Sequence, residues 1–201
     1  MLFILDLTLF LGLNCALLAI ASHELNRYGI GAGLFSLASI MSLFGWSVAE
    51  AVVQTSQGYE RLPYAIVMGA IGVSAVTDRA AGYVLDVITL PSCSFAMIAG
   101  ACGARGVDCV LGALAAGGAM LSLYMGSRGR GLGLGDVKLA ALIGALLGLR
   151  SGLVSLAVSF VFGGFIAALL ILCGRASRKT AVPFAPYIAA GALATVGFVP
   201  A

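Results

Sequence analysis

Asp78 and Asp136 are the residues in this sequence whose type and setting best suit chemistry, and that chemistry is acid–base work by two carboxylates. The chain has eight acidic residues: Asp6, Glu24, Glu50, Glu60, Asp78, Asp86, Asp108 and Asp136. Asp136 follows alternating glycines, in Gly131-Leu132-Gly133-Leu134-Gly135-Asp136-Val137-Lys138. Such glycines let a backbone bend and approach a ligand closely. The apolar run after them predicts a helix opening at Asp136, where the dipole and free amides favour a negative charge. An ordinary N-cap would account for a lone aspartate there; Gly-x-Gly-Asp at the head of an apolar segment points to function. Asp78 ends another apolar segment, in Ser74-Ala75-Val76-Thr77-Asp78-Arg79. At a helix C-terminus the dipole disfavours an acid, so its presence also invites a functional reason. If the fold brings the two together, both cannot easily ionise and one keeps a proton. The ionised partner can then activate water while the protonated one polarises a carbonyl. That is peptide hydrolysis without a metal or a covalent intermediate.

The remaining candidates read more plainly. Asp86 opens the run Asp86-Val87-Ile88-Thr89-Leu90-Pro91 and is expected to cap a helix. Glu24, Glu60 and Asp108 fall in polar breaks and are expected on a solvated surface. Asp6 and Glu50 lie near helix ends and are expected at the interface. Lys138, two residues past Asp136, is expected to anchor a helix end at the membrane surface. The five cysteines, Cys15, Cys93, Cys102, Cys109 and Cys173, form no C-x-x-C pair, and His23 is the one histidine. No zinc or c-type haem motif is present, and no metal or cofactor is expected. The cysteines read as small hydrophobes.

The elements that position these acids must be membrane helices. Of 201 residues, 61% are hydrophobic and 9% charged, with a mean hydropathy of +1.11. A soluble domain carries roughly 25% charged residues, so this chain cannot cover a water-facing surface. The 28 glycines suit closely packed membrane helices. Eight apolar segments are expected: 2–22, 30–53, 62–77, 86–104, 107–125, 136–149, 151–173 and 182–199. Two of them, 62–77 and 136–149, fall below the ~17–25 residues of a full span, so the number of true spans lies between six and eight. The N-terminal run lacks a positive n-region and an A-x-A-like site, and is read as a retained first helix.

Alternate breaks carry unequal positive charge. Arg27, Arg79, Arg128, Arg130, Lys138, Arg175, Arg178 and Lys179 fall on one side; Arg61, Arg105 and Arg150 fall on the other. The richer side is expected to be cytoplasmic, with Asp78 and Asp136 at that boundary and both termini outside. The net charge of +3 is spread along the chain and makes no basic patch for nucleic acid. The expected architecture is a single all-α, polytopic membrane bundle over residues 1–201, with its catalytic core in 62–199.

At these residues the chain resembles the type IV prepilin peptidases, membrane aspartyl proteases with a GxGD motif. Three blocks carry the resemblance: Asp78 to Pro91, Gly133-Leu134-Gly135-Asp136-Val137-Lys138-Leu139, and Val182-Pro183-Phe184-Ala185-Pro186-Tyr187. They cover about 70 to 195; residues 1–60 match little beyond hydrophobicity. The resemblance implies an inner-membrane endopeptidase that cuts the leader from prepilin or pseudopilin precursors at the cytoplasmic face. It implies Asp78 and Asp136 as the catalytic pair, supported by Gly133, Gly135, Lys138 and Asp86. Leu85 stands where the family often has proline, and Ala185 where it has glycine. Longer members carry paired C-x-x-C motifs in a cytosolic region associated with N-methylation; this sequence has none, so the expectation is peptidase activity alone. Two other classes fit the acids: a small proton- or cation-coupled transporter using Asp78 and Asp136, and a non-catalytic assembly subunit.

Overall fold

The computed structural model describes residues 61–82, 84–102, 105–129, 131–174 and 183–198. The expected segments 2–22 and 30–53 lie outside them, as do both termini, Asp6, Glu24, Glu50, Glu60, Cys15 and His23. Among the described residues the chain is helical throughout, with no strand. The elements are α1 (Arg61–Ala81), α2 (Asp86–Cys102), α3 (Gly106–Ser127), α4 (Leu134–Leu172) and α5 (Ala185–Phe198).

Two expectations about length need correction. The short run 62–77 lies within a 21-residue helix, α1, which at ~1.5 Å per residue is about 31 Å long. Asp78 therefore lies inside the last turn of α1 rather than at its final position. The helix ends three residues later at Ala81, and Gly82 beyond it takes φ 72°, its N–H donating to the Asp78 carbonyl at 2.9 Å. A left-handed glycine is a common way to close a helix.

The expected segments 136–149 and 151–173 are the two arms of α4, and they join at Gly148 rather than at Arg150. Gly148 has φ 79° and ψ −176°, a conformation essentially confined to glycine. There the chain folds back on itself. A Cβ built on Gly152 would lie 2.9 Å from Gly144 Cα, so the two arms meet backbone to backbone. Gly112 of α3 lies against the carbonyls of Gly144 and Gly148 in the same way. Small residues at these crossings allow the close approach that packs membrane helices.

α4 touches each of the other four helices. Around it are buried Val67 and Ile71 of α1, Met120 of α3, Leu139, Leu142 and Ile143 of α4 itself, and Ile188 of α5. Most buried hydroxyls bond a carbonyl of the preceding turn: Ser74 to Ala70, Thr89 to Leu85, Ser92 to Ile88, Ser159 to Ser155 and Thr195 to Gly191; the Ser155 hydroxyl has no partner among the described residues. In apolar surroundings an unbonded hydroxyl is costly, and the preceding turn supplies the nearest acceptor.

The outward faces are apolar. Val107 is 76% exposed, Val161 72% and Leu172 83%. α3 and α4 are long and apolar enough to cross a membrane. A broad apolar surface of this kind suits lipid rather than water.

The helix ends divide into two groups. The C-terminal end of α1 and the N-terminal ends of α2, α4 and α5 gather at one end of the bundle, joined by the contacts described below. The start of α3 and the Gly148 turn lie at the other. There Asp108 accepts the Leu149 N–H at 3.1 Å, and Arg105 Nη2 lies 3.9 Å from Asp108 and 3.4 Å from the Leu147 carbonyl. Asp108, expected as a solvated surface acid, thus caps the second arm of α4 from a neighbouring helix. Its carboxylate satisfies an N–H that the break at Gly148 exposes.

Candidate active site

Four helix ends build the site. Asp136 is the third residue of α4, and its Oδ2 accepts the Gly133 N–H at 3.0 Å. An acid at this position commonly reaches back to the N-cap amide. Asp136 is therefore not itself the N-cap, which is Gly133. The backbone bond fixes the carboxyl's orientation and keeps it at the positive end of the helix. The side chain is 7% exposed.

Asp78 arrives from α1, half-buried. Its Oδ2 accepts the Ala185 N–H at 3.2 Å. Ala185 is the first residue of α5, and the Tyr187 and Ile188 amides already bond the Phe184 carbonyl. The Ala185 N–H thus has no partner within its own helix, and Asp78 supplies one. Pro186, next in line, has no N–H to satisfy, and proline is tolerated in a first helical turn. The Pro-Phe-Ala-Pro block, singled out from sequence without a structural reason, therefore orients one of the two acids.

The Asp78 carboxyl comes near enough to Asp136 for its charge to bear on that group. Each also holds one backbone N–H on one oxygen. A pair held this way can share a proton and present both a base and an acid to a substrate.

Asp86 and Lys138 take places the sequence did not indicate. The Leu85 carbonyl accepts the first bonds of α2, from Ile88 N at 3.1 Å and Thr89 N at 3.0 Å. Asp86 is thus the first helical residue rather than the cap. Its Oδ1 receives Lys138 Nζ at 2.6 Å. Lys138 is ion-paired to Asp86, which corrects its reading as a simple interfacial anchor. The pair also separates the two acids of the first block: Asp86 holds Lys138, while Asp78 holds the Ala185 N–H.

Gly133 and Gly135 lie in the turn that delivers Asp136. A Cβ at Gly135 would come within 2.8 Å of the Val84 side chain. The α1–α2 connection therefore rests directly on the glycine turn. Val84 was missed by sequence reasoning; an apolar residue between two acids carries no signal of its own. Among the described residues, no three His, Cys, Asp or Glu side chains gather as a metal site.

Residues 65–168, about half of the chain, match the model of the Type IV leader peptidase family. The match includes Asp78 and Asp136 and excludes Ala185. The chain is 38% identical over 84 residues to the prepilin leader peptidase/N-methyltransferase of Bacillus subtilis (strain 168), covering 42% of this chain and 34% of that protein. It is 37% identical over 86 residues to the protein of the same description from Aeromonas hydrophila, covering 41% of this chain and 30% of that protein. The matched stretch thus spans about a third of the length of these curated relatives. No solved structure gives a significant match.

Proposed function

The chain belongs to the type IV leader peptidase family, and from that premise we propose that it is a membrane-embedded aspartic endopeptidase for prepilin-like or pseudopilin precursors. The observation that carries the proposal is that Asp78 of α1 and Asp136 of α4 lie at one end of the bundle, each carboxyl held by a backbone amide and the charge of Asp78 bearing on Asp136.

The chemistry follows from the pairing. With one proton between them, the ionised carboxylate takes a proton from water. The protonated partner donates to the scissile carbonyl oxygen and stabilises the charge that forms there. The tetrahedral adduct then collapses as the amine leaves with a proton. Because both acids sit at one end of an apolar bundle, the substrate's scissile bond must lie at the membrane boundary. A precursor whose apolar helix runs alongside the enzyme would present its leader there. The sequence's excess of positive charge in the alternate breaks that include Arg79 and Arg128 supports a cytoplasmic placement in a bacterial inner membrane. The proposal covers peptidase activity alone.

The transporter alternative has no support from the family or the relatives. The acids also lie at a bundle end, whereas transporter sites tend toward the bilayer midplane.

The test is processing of a panel of pilin-like precursors, co-expressed with the wild-type chain, Asp78→Asn or Asp136→Asn. The wild type is expected to release the leader from at least one precursor, and neither variant is expected to release any. Full processing by either variant while the protein inserts normally would overturn the dyad.

A further inference from the structure

The end of α1 with the α1–α2 connection and the turn ahead of α4 lie side by side, linked in order at three places. Asp78 comes near enough for its charge to bear on Asp136, Val84 rests on Gly135, and Asp86 pairs with Lys138. The first is the site itself. The second is apolar and tight: Val84 is 9% exposed, its neighbour Leu85 6%, and a Cβ at Gly135 would lie 2.9 Å from Val84 Cβ. The third is a short charge-assisted bond of 2.6 Å between side chains 52 residues apart.

We propose that the Asp86–Lys138 pair is a clasp that seats the α1–α2 connection on the Gly133–Asp136 turn and so sets the placement of Asp136 against Asp78. The clasp rests on the peptidase reading for its consequence in catalysis; its geometry does not. Both members are positioning residues and touch no reacting atom.

The alternatives for each residue account for less. A lysine serving as an interfacial anchor would extend its amine to headgroups or water, yet Nζ turns onto a carboxylate of another helix. An acid serving as a cap would bond its own helix amides, yet Oδ1 of Asp86 receives Lys138. The pair is solvent-accessible, with Lys138 35% and Asp86 54% exposed, and exposed ion pairs add little to global stability. Its effect is local. Opening the clasp frees the Asp86 end of the connection, leaving Val84 to hold the register alone. A misplacement of about 1 Å at a reacting group can cost up to ~100-fold in rate, so a modest shift of this turn is enough to matter.

The test uses the full chain in detergent with a precursor it processes. Lys138→Met and Asp86→Asn are each expected to lower kcat roughly ten-fold with KM unchanged. Lys138→Arg keeps the charge and is expected to stay within about two-fold of wild type. The exchanged pair, Asp86→Lys with Lys138→Asp, is expected to recover most of the loss; a residue important only for folding would show neither the kcat–KM split nor the recovery. A second readout needs no substrate. With the chain's five cysteines replaced by alanine, Val84→Cys is labelled by a water-soluble maleimide. Labelling is expected to be slow, to quicken several-fold in Lys138→Met, and to slow again in Lys138→Arg. Wild-type kcat and unchanged labelling in both single variants would overturn the clasp, as would losses that the exchanged pair leaves in place. If the wild type cleaves no precursor while labelling still responds to Lys138→Met, the peptidase reading falls and the clasp stands.

Discussion

The Ala185 N–H donates to Asp78 Oδ2 at 3.2 Å, tying together residues 107 positions apart in the chain. The bond makes the start of α5 part of the site, although the family match ends at residue 168. Removing that donor while keeping the helix should isolate its contribution. A hydrogen bond to a charged group contributes about 1.5–3 kcal/mol. Ala185→Pro, which keeps a helical first turn but has no N–H, is expected to lower kcat roughly ten-fold or more. Ala185→Gly retains the donor and is expected to stay near wild type. Steady-state precursor cleavage by the two variants checks this, and equal rates would remove the bond from the mechanism.

The dyad predicts that its members fail as a unit. Asp78→Asn, Asp136→Asn and the double variant are expected to show the same residual rate, because a base without its acid partner is worth little more than neither. The wild-type kcat/KM profile should be bell-shaped. At low pH both acids are protonated and no base remains; at high pH both are ionised and no donor remains. A single-limbed wild-type profile, or losses that multiply in the double variant, would argue for independent roles.

The Val84–Gly135 contact predicts a steric suppressor. Gly135→Ala places a methyl within 2.8 Å of the Val84 side chain, so the turn carrying Asp136 must move, and activity is expected to fall at least ten-fold. Val84→Ala added to it clears the space and is expected to restore part of the rate. No recovery in the double variant would mean that Gly135 is required for a reason other than this contact.

The far end of the bundle predicts an effect on stability. Gly148→Ala forces a side chain into a glycine-only conformation and against Asp108, with an expected cost of about 1–3 kcal/mol. Asp108→Ala leaves the Leu149 N–H without its cap and is expected to cost about 0.5–2 kcal/mol. Gly118→Ala is the control: its Cβ meets nothing within 4 Å, and in a helix interior it should be neutral or stabilising. Thermal unfolding in detergent ranks the three. A Gly148→Ala protein as stable as Gly118→Ala would contradict the fold-back at Gly148.

The sequence by itself determined the solvent of this protein, the helical character of its described part and the two acids most suited to chemistry. These are local properties. A chain with 9% charged residues cannot face water broadly, and a Gly-x-Gly-Asp turn ahead of an apolar run marks a helix start wherever it occurs. Tertiary structure decided what depends on distant residues. It separated Asp78 from Asp86, eight positions away, by giving one to Ala185 and the other to Lys138. It made a cap of Asp108, which the sequence offered as a surface acid. It chose Gly148 as the turning point of α4 from among 28 glycines. No local pattern distinguishes that glycine, because its positive φ is imposed by the packing of the two arms and of α3 against them. The same reason applies at the site: a carboxylate's partner is whichever donor the fold leaves unsatisfied nearby, and for Asp78 that donor is the first amide of a helix at the far end of the chain.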